Sequence, residues 1–160
     1  MIKIKTYHNI SNLISFFVLL FTTMMALYVW NSISDVIPIS YDTYGNIRFW
    51  GHKIHLLLFL IMDVILNAGI SITQKYIKSS ISDGFLTFYN KRYMSRIIKN
   101  FLATAKLIIN LTFSVISISM ILSQPIPFWI ITTICLALIS SSLYFLFKTV
   151  KLLPNIKKGY

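Results

Sequence analysis

The sequence predicts an all-α membrane protein: four transmembrane helices and one structured extracellular loop, forming a single domain over residues 1–160. Three observations predict it. The chain contains four apolar runs, and an apolar stretch of about 20 residues, rising 1.5 Å per residue, crosses a hydrocarbon core of about 30 Å. Charged residues make up only 12% of the chain and hydrophobic ones 56%, whereas a soluble domain carries about 25% charged residues. All the basic residues but Lys106 gather outside the apolar runs.

The first run, about residues 12–30, reads NLISFFVLLFTTMMALYVW. A secretory signal would have a hydrophobic region of about 7–15 residues followed by a small-residue cleavage site. This run is longer and ends in an aromatic belt, Tyr28 and Trp30, so it reads as an uncleaved anchor. The outer loop, 31–53, separates it from the second span, about 54–73. A basic connector, 74–100, carries Lys75, Lys78, Lys91, Arg92, Arg96 and Lys99. Within it Ser82 or Asp83 reads as a helix cap. Phe85, Tyr89, Tyr93, Ile97 and Phe101 then recur every four residues, which predicts an amphipathic helix lying in the interface and running into the third span. That span covers about 101–122. Ser123 to Pro127 holds two prolines in five residues and breaks the helix. The fourth span covers about 128–147, and a basic tail follows.

Fifteen Lys and Arg face four Asp and no Glu, a net charge of +11. Such a charge also occurs in nucleic-acid-binding proteins. Basic flanks are, however, what membrane topology requires, and they attract anionic lipid. The expected partner is therefore the lipid bilayer and no nucleic acid. Two basic residues precede the first span, six lie in the connector and four in the tail, against Arg48 and Lys53 in the outer loop. The positive-inside rule then sets both termini in the cytoplasm of a cell-membrane protein and the loop 31–53 outside.

That loop concentrates the turn chemistry of the chain. Pro38 biases Ile37 to Tyr41 toward an extended piece. Asp42 to Asn46 reads as a turn in which Gly45 or Asn46 takes a positive φ. Phe49 and Trp50 are expected at the lipid boundary, with Lys53 snorkelling from the start of the second span. The residues Ile37-Pro38-Ile39-x-Tyr41-Asp42-x-x-Gly45-Asn46, followed by Trp50-Gly51-x-Lys53, resemble the signature I-P-x-H-F-[DN]-x-x-G-x-x-D-x-W-x-x-K of the SdpI-like bacterial membrane proteins. The likeness covers about twenty residues, or about sixty with the flanking spans; nothing in the second half of the chain is assigned to the family. It implies a multi-span protein that confers immunity against, or senses, a secreted toxic peptide. Pro38, Tyr41, Asp42, Gly45, Trp50 and Lys53 would be its partner-binding positions. Ser40 stands where the family has histidine and Arg48 where it has an acidic residue, so no titratable role is carried over to either. The same residues are also consistent with a purely structural cap.

Inside the spans, Asp63 and Asn67 lie four apart on one helical face, as do Lys106 and Asn110. With the second and third spans antiparallel, Asn67 and Lys106 are expected about 8–9 Å from the connector ends and Asp63 and Asn110 about 14–15 Å. Lys106 would then reach Asp63. Buried ionisable groups in a span mark a relay or a carrier site; interhelical hydrogen bonding is the plainer role. A single network without broken helices or repeats argues against a secondary transporter. His52 and His55 could share a metal only with further ligands, so no metal is expected. There is no phosphate loop, nucleophile elbow or HExxH, so neither a cofactor nor catalysis is expected. Cys135 reads as inert packing. Two other functions fit the architecture: an accessory subunit of a membrane transporter or secretion complex, and an enzyme or carrier using Asp63 and Lys106.

Overall fold

The computed structural model describes residues 7–80 and 88–150, without the side chains of 78–80 and 88–93. The chain runs α1 (Tyr7–Tyr28), β1 (Val36–Tyr41), β2 (Ile47–His52), α2 (Ile54–Ser80), α3 (Phe88–Leu122) and α4 (Phe128–Val150). All four helices are long and apolar enough to cross a membrane. Consecutive helices run in opposite directions, so one end of the bundle carries the β-hairpin and the other the connector between α2 and α3.

α3 is the central element: α1, α2, α4 and β1 all pack on it. Its 35 residues extend about 52 Å at 1.5 Å per residue, well beyond the other helices. The connector from Phe88 onward and the third span therefore form one continuous helix, so the amphipathic stretch runs into the span as its spacing predicts. Ile97 is buried in it. The proposed cap at Ser82 or Asp83, and Phe85, lie outside the described residues, as do the side chains of Tyr89 and Tyr93. The other boundaries move modestly: α1 begins five residues before the expected span, and α2 runs seven beyond it.

The helical prediction holds, and the loop adds a small sheet to it. β1 and β2 pair antiparallel, Val36 opposite His52 and Pro38 opposite Trp50, with irregularities on either side of Ser40. Ile37 and Pro38 are among the most fully buried side chains of the molecule. With Ala26, Ile33, Leu56, Leu60 and Met120, Ile37 forms the apolar core at the hairpin end.

α3 ends in a C-cap motif. The amide of Gln124 donates to the carbonyl of Ser119 (3.1 Å) and that of Ser123 to Met120 (3.3 Å). Ser123 takes the left-handed conformation at φ 52°, a position that usually selects glycine. The segment 123–127 then turns the chain into α4, as the prolines predict. α4 buries only Phe145.

Through the middle of the bundle the usual arrangement of side chains is reversed. Among the described residues twelve buried side chains are polar or charged and eleven hydrophobic, while large apolar side chains such as Phe21, Trp129, Leu136 and Leu143 face outward.

Candidate functional site

Two constellations stand out: the β-hairpin and a polar ladder inside the three-helix contact of α1, α2 and α3.

In the hairpin, turn chemistry comes first. The carboxylate of Asp42 accepts the backbone amides of Tyr44 and Asn46, each at 2.8 Å, and the side-chain amide of Asn46 at 3.1 Å. Desolvation alone would push its pKa up, but these hydrogen bonds together hold it below the ordinary carboxylate value. The turn also closes through the backbone, Asp42 N–H to Asn46 (2.9 Å) and Gly45 N–H to Asp42 (3.0 Å). Gly45 sits at φ 87°, the conformation that favours glycine. Its carbonyl accepts the amide of Ile126 at 2.8 Å. A Cβ at Gly45 would lie 1.9 Å from the carbonyl oxygen of Ile126. The hairpin tip is therefore pinned on the turn between α3 and α4, and the ring of Tyr44 meets that of Phe128 at 6.0 Å between centroids.

At the base, Lys53 pairs with Asp35 at 2.8 Å and lies 5.5 Å from the ring centre of Trp30. The hydrogen bond and charge of Lys53 also hold Asp35 below the usual carboxylate range. His52 Nδ1 accepts the amide of Ile54 at 3.3 Å, and His55 Nδ1 lies 2.8 Å from the carbonyl oxygen of His52. Both rings thus serve the start of α2.

Of the six hairpin positions singled out in the sequence, Pro38, Asp42, Gly45 and Lys53 are occupied in holding the hairpin's shape and position. Tyr41 is half-buried; its hydroxyl is enclosed and makes no hydrogen bond, and burial pushes its pKa up to about 12. Trp50 remains outward-facing at 54% exposure, next to Phe49 at 56%. Arg48, also exposed, stacks 5.3 Å from the centre of Phe49. Tyr44, Arg48, Phe49 and Trp50 all face outward; of these, the resemblance places only Trp50 among the partner-binding positions.

Within the bundle, Asn67 and Asn110 form a reciprocal amide pair across α2 and α3. Asn110 Nδ2 donates to Asn67 Oδ1 at 3.0 Å, and Asn67 Nδ2 donates to Asn110 Oδ1. Asn67 Nδ2 also approaches Asp63 Oδ1 at 3.0 Å, and Asn110 reaches the backbone carbonyl of Ser15 on α1 at 2.9 Å. Lys106 does not meet Asp63. It donates to Ser71 at 3.0 Å. The two helices are offset by about one turn from the expected pairing, so Asn67 faces Asn110 and Ser71 faces Lys106. The expected pairing places the span ends at 73 and 101, whereas the helices extend past both.

Ser71, missed in the sequence, continues the four-residue spacing of Asp63 and Asn67, which is the signal that could have found it. The ladder extends at both ends. Thr22 and Ser114 hydroxyls lie 2.9 Å apart, and Asn12 Nδ2 donates to Gln74 Oε1 at 3.0 Å. Ser15 and Ser117 add buried hydroxyls without partners. Cys135 lies exposed on α4, so it is not the packed residue the sequence suggested.

Comparison of the chain with protein-family models, with curated proteins and with solved structures finds no match to any of the three.

Proposed function

We propose that this chain is a four-span cell-membrane protein with cytoplasmic termini, and that it acts in immunity against, or sensing of, a secreted toxic peptide. The hairpin would be its outward recognition element. The reversed distribution of side chains supports the membrane setting: buried polar groups pair across helices while the apolar side chains face outward, toward acyl chains. The excess of basic residues at the connector end and in the tail supports the orientation.

One observation carries the functional reading. The signature residues Pro38, Asp42, Gly45 and Lys53 build a pinned hairpin, and that hairpin holds Tyr44, Arg48, Phe49 and Trp50 outward. Tyr, Trp and Arg are the side chains that dominate binding hot spots, and a hairpin already fixed by Asp42 and Ile126 loses little conformational freedom on binding. In this reading the polar ladder is interhelical glue, not a relay, and no catalysis is needed.

Expression of the chain in a peptide-sensitive cell tests this directly. Protection is expected, and the double variant Arg48→Glu with Trp50→Ala should abolish it at unchanged membrane protein level. Absence of protection by the wild-type chain, across secreted antimicrobial peptides from neighbouring cells, counts against the reading. The accessory-subunit reading is favoured by α4, whose outer face is almost wholly uncovered. It requires a membrane protein that co-purifies after mild solubilisation and is lost on substitution of Leu136 and Leu143.

A further inference from the structure

α1 and α4 both lean on α3, and between them a cleft of about 780 Å³ opens at the connector end. That volume lies in the range of ligand pockets, about 300–1,000 Å³. Its chemistry changes along its length. At the mouth stand Lys148 and Tyr144 of α4, Tyr7 of α1, and Asn100 and Thr104 of α3. One to two turns deeper the lining passes to Ile14, Leu107 and Ser141.

The polar end is arranged for an anion. Lys148 Nζ lies 3.4 Å from the hydroxyl of Tyr144 and 5.4 Å from its ring centre. Among the described residues Lys148 has no acidic partner, since Lys53 with Asp35 is the ion pair formed there. The Tyr7 hydroxyl stands 2.8 Å from Thr104 Oγ1. Arg96 and Lys99 precede Asn100 on α3. Among the described residues Lys148 is the one charged side chain lining the cleft, and no carboxylate lines it.

We infer that this cleft holds one anionic phospholipid, with its phosphate against Lys148 and the Tyr144 hydroxyl and one acyl chain along Ile14 and Leu107. Three features favour this occupant: the cationic and hydroxyl mouth, the apolar depth, and the alignment of the cleft with helices of membrane-spanning length. A water-soluble anion would leave the apolar depth uncovered, an uncharged lipid would leave Lys148 without a counter-charge, and in a zwitterionic lipid such as phosphatidylcholine the headgroup ammonium offsets the phosphate that Lys148 attracts. The inference stands independently of peptide recognition, because the hairpin lies at the opposite end of the bundle.

The full chain, purified in mild detergent, is examined by native mass spectrometry with added phosphatidylglycerol or phosphatidylcholine of identical acyl chains. One retained phosphatidylglycerol per chain is expected, with phosphatidylcholine retained far less. Lys148→Gln should weaken retention about fivefold, the effect of one cationic side chain near a charged headgroup. Lys75→Gln, which removes the same charge from an exposed α2 position outside the cleft, should change it less than twofold. Ser141→Phe, which fills the deeper part of the cleft, should exclude the lipid. Equal retention of both lipids, equal losses in the two lysine variants, or unaltered binding in Ser141→Phe would each overturn the inference. Cooperative thermal unfolding of every variant shows that the fold is kept.

Discussion

Gly45 is the position where one methyl group would do most damage. Its φ of 87° is strained for any side chain, and a Cβ there would collide with the carbonyl of Ile126, which belongs to rigid backbone. Gly45→Ala should therefore destabilise the protein by about 1–3 kcal/mol, read as a lower midpoint in thermal unfolding in detergent. The titratable residues of the hairpin set a pH window. Asp35 and Asp42 have pKa values below the ordinary 3.8, so their contribution is present above that value and fades as pH falls through the depressed ones. Tyr41 is shifted from 10.0 to about 12. Its contribution is intact below pH 10 and disappears as pH rises toward 12, because the folded state resists the phenolate. A tyrosine ultraviolet titration should show a component near pH 12 that is missing in Tyr41→Phe. Its absence would mean that the hydroxyl is open to solvent.

Among the elements, the contact of α2 with α3 carries the most specific chemistry. The Asn67–Asn110 pair joins the two helices by reciprocal amide bonds, and such bonds in membrane proteins contribute about 0.6 kcal/mol on average and up to about 1.7. A double-mutant cycle with Asn67→Ala and Asn110→Ala should yield a coupling energy in that range. A matching cycle for Asp63 and Lys106 should give none, because Lys106 bonds to Ser71. These two helices also show what the sequence could and could not reveal. The apolar runs, the turn at Asp42–Asn46 and the stop at Pro125 and Pro127 are local signals, and each was legible. Asp63, Asn67, Lys106 and Asn110 were legible as one-sided pairs, since i and i+4 share a face. Which residue of one helix faces which of the other was not. That register depends on where the helices end, and the continuous helix through Phe101 offers no local signal of an end. The sheet was legible only as an extended piece and a turn. The docking of Gly45 on Ile126 joins residues far apart in the chain, and no local spacing encodes it.

At the scale of the whole molecule, the two ends of the bundle have different characters. The hairpin end is closed by an apolar core and a pinned turn, and it presents aromatic and cationic side chains outward. The connector end is basic, carries the long overhang of α3, and opens into the cleft beside Lys148. Between them lies a polar interior with an apolar exterior, an arrangement that suits acyl chains and not water. In the proposed function, recognition belongs to the hairpin and anchoring to the helices. The proposal that the hairpin grips a secreted peptide is tested most directly by a photoreactive phenylalanine analogue at Phe49, activated on intact cells exposed to culture supernatant. The account predicts a light-dependent adduct between this chain and a secreted peptide, reduced by Arg48→Glu. An adduct confined to lipid, to a membrane protein or to the chain itself would contradict it.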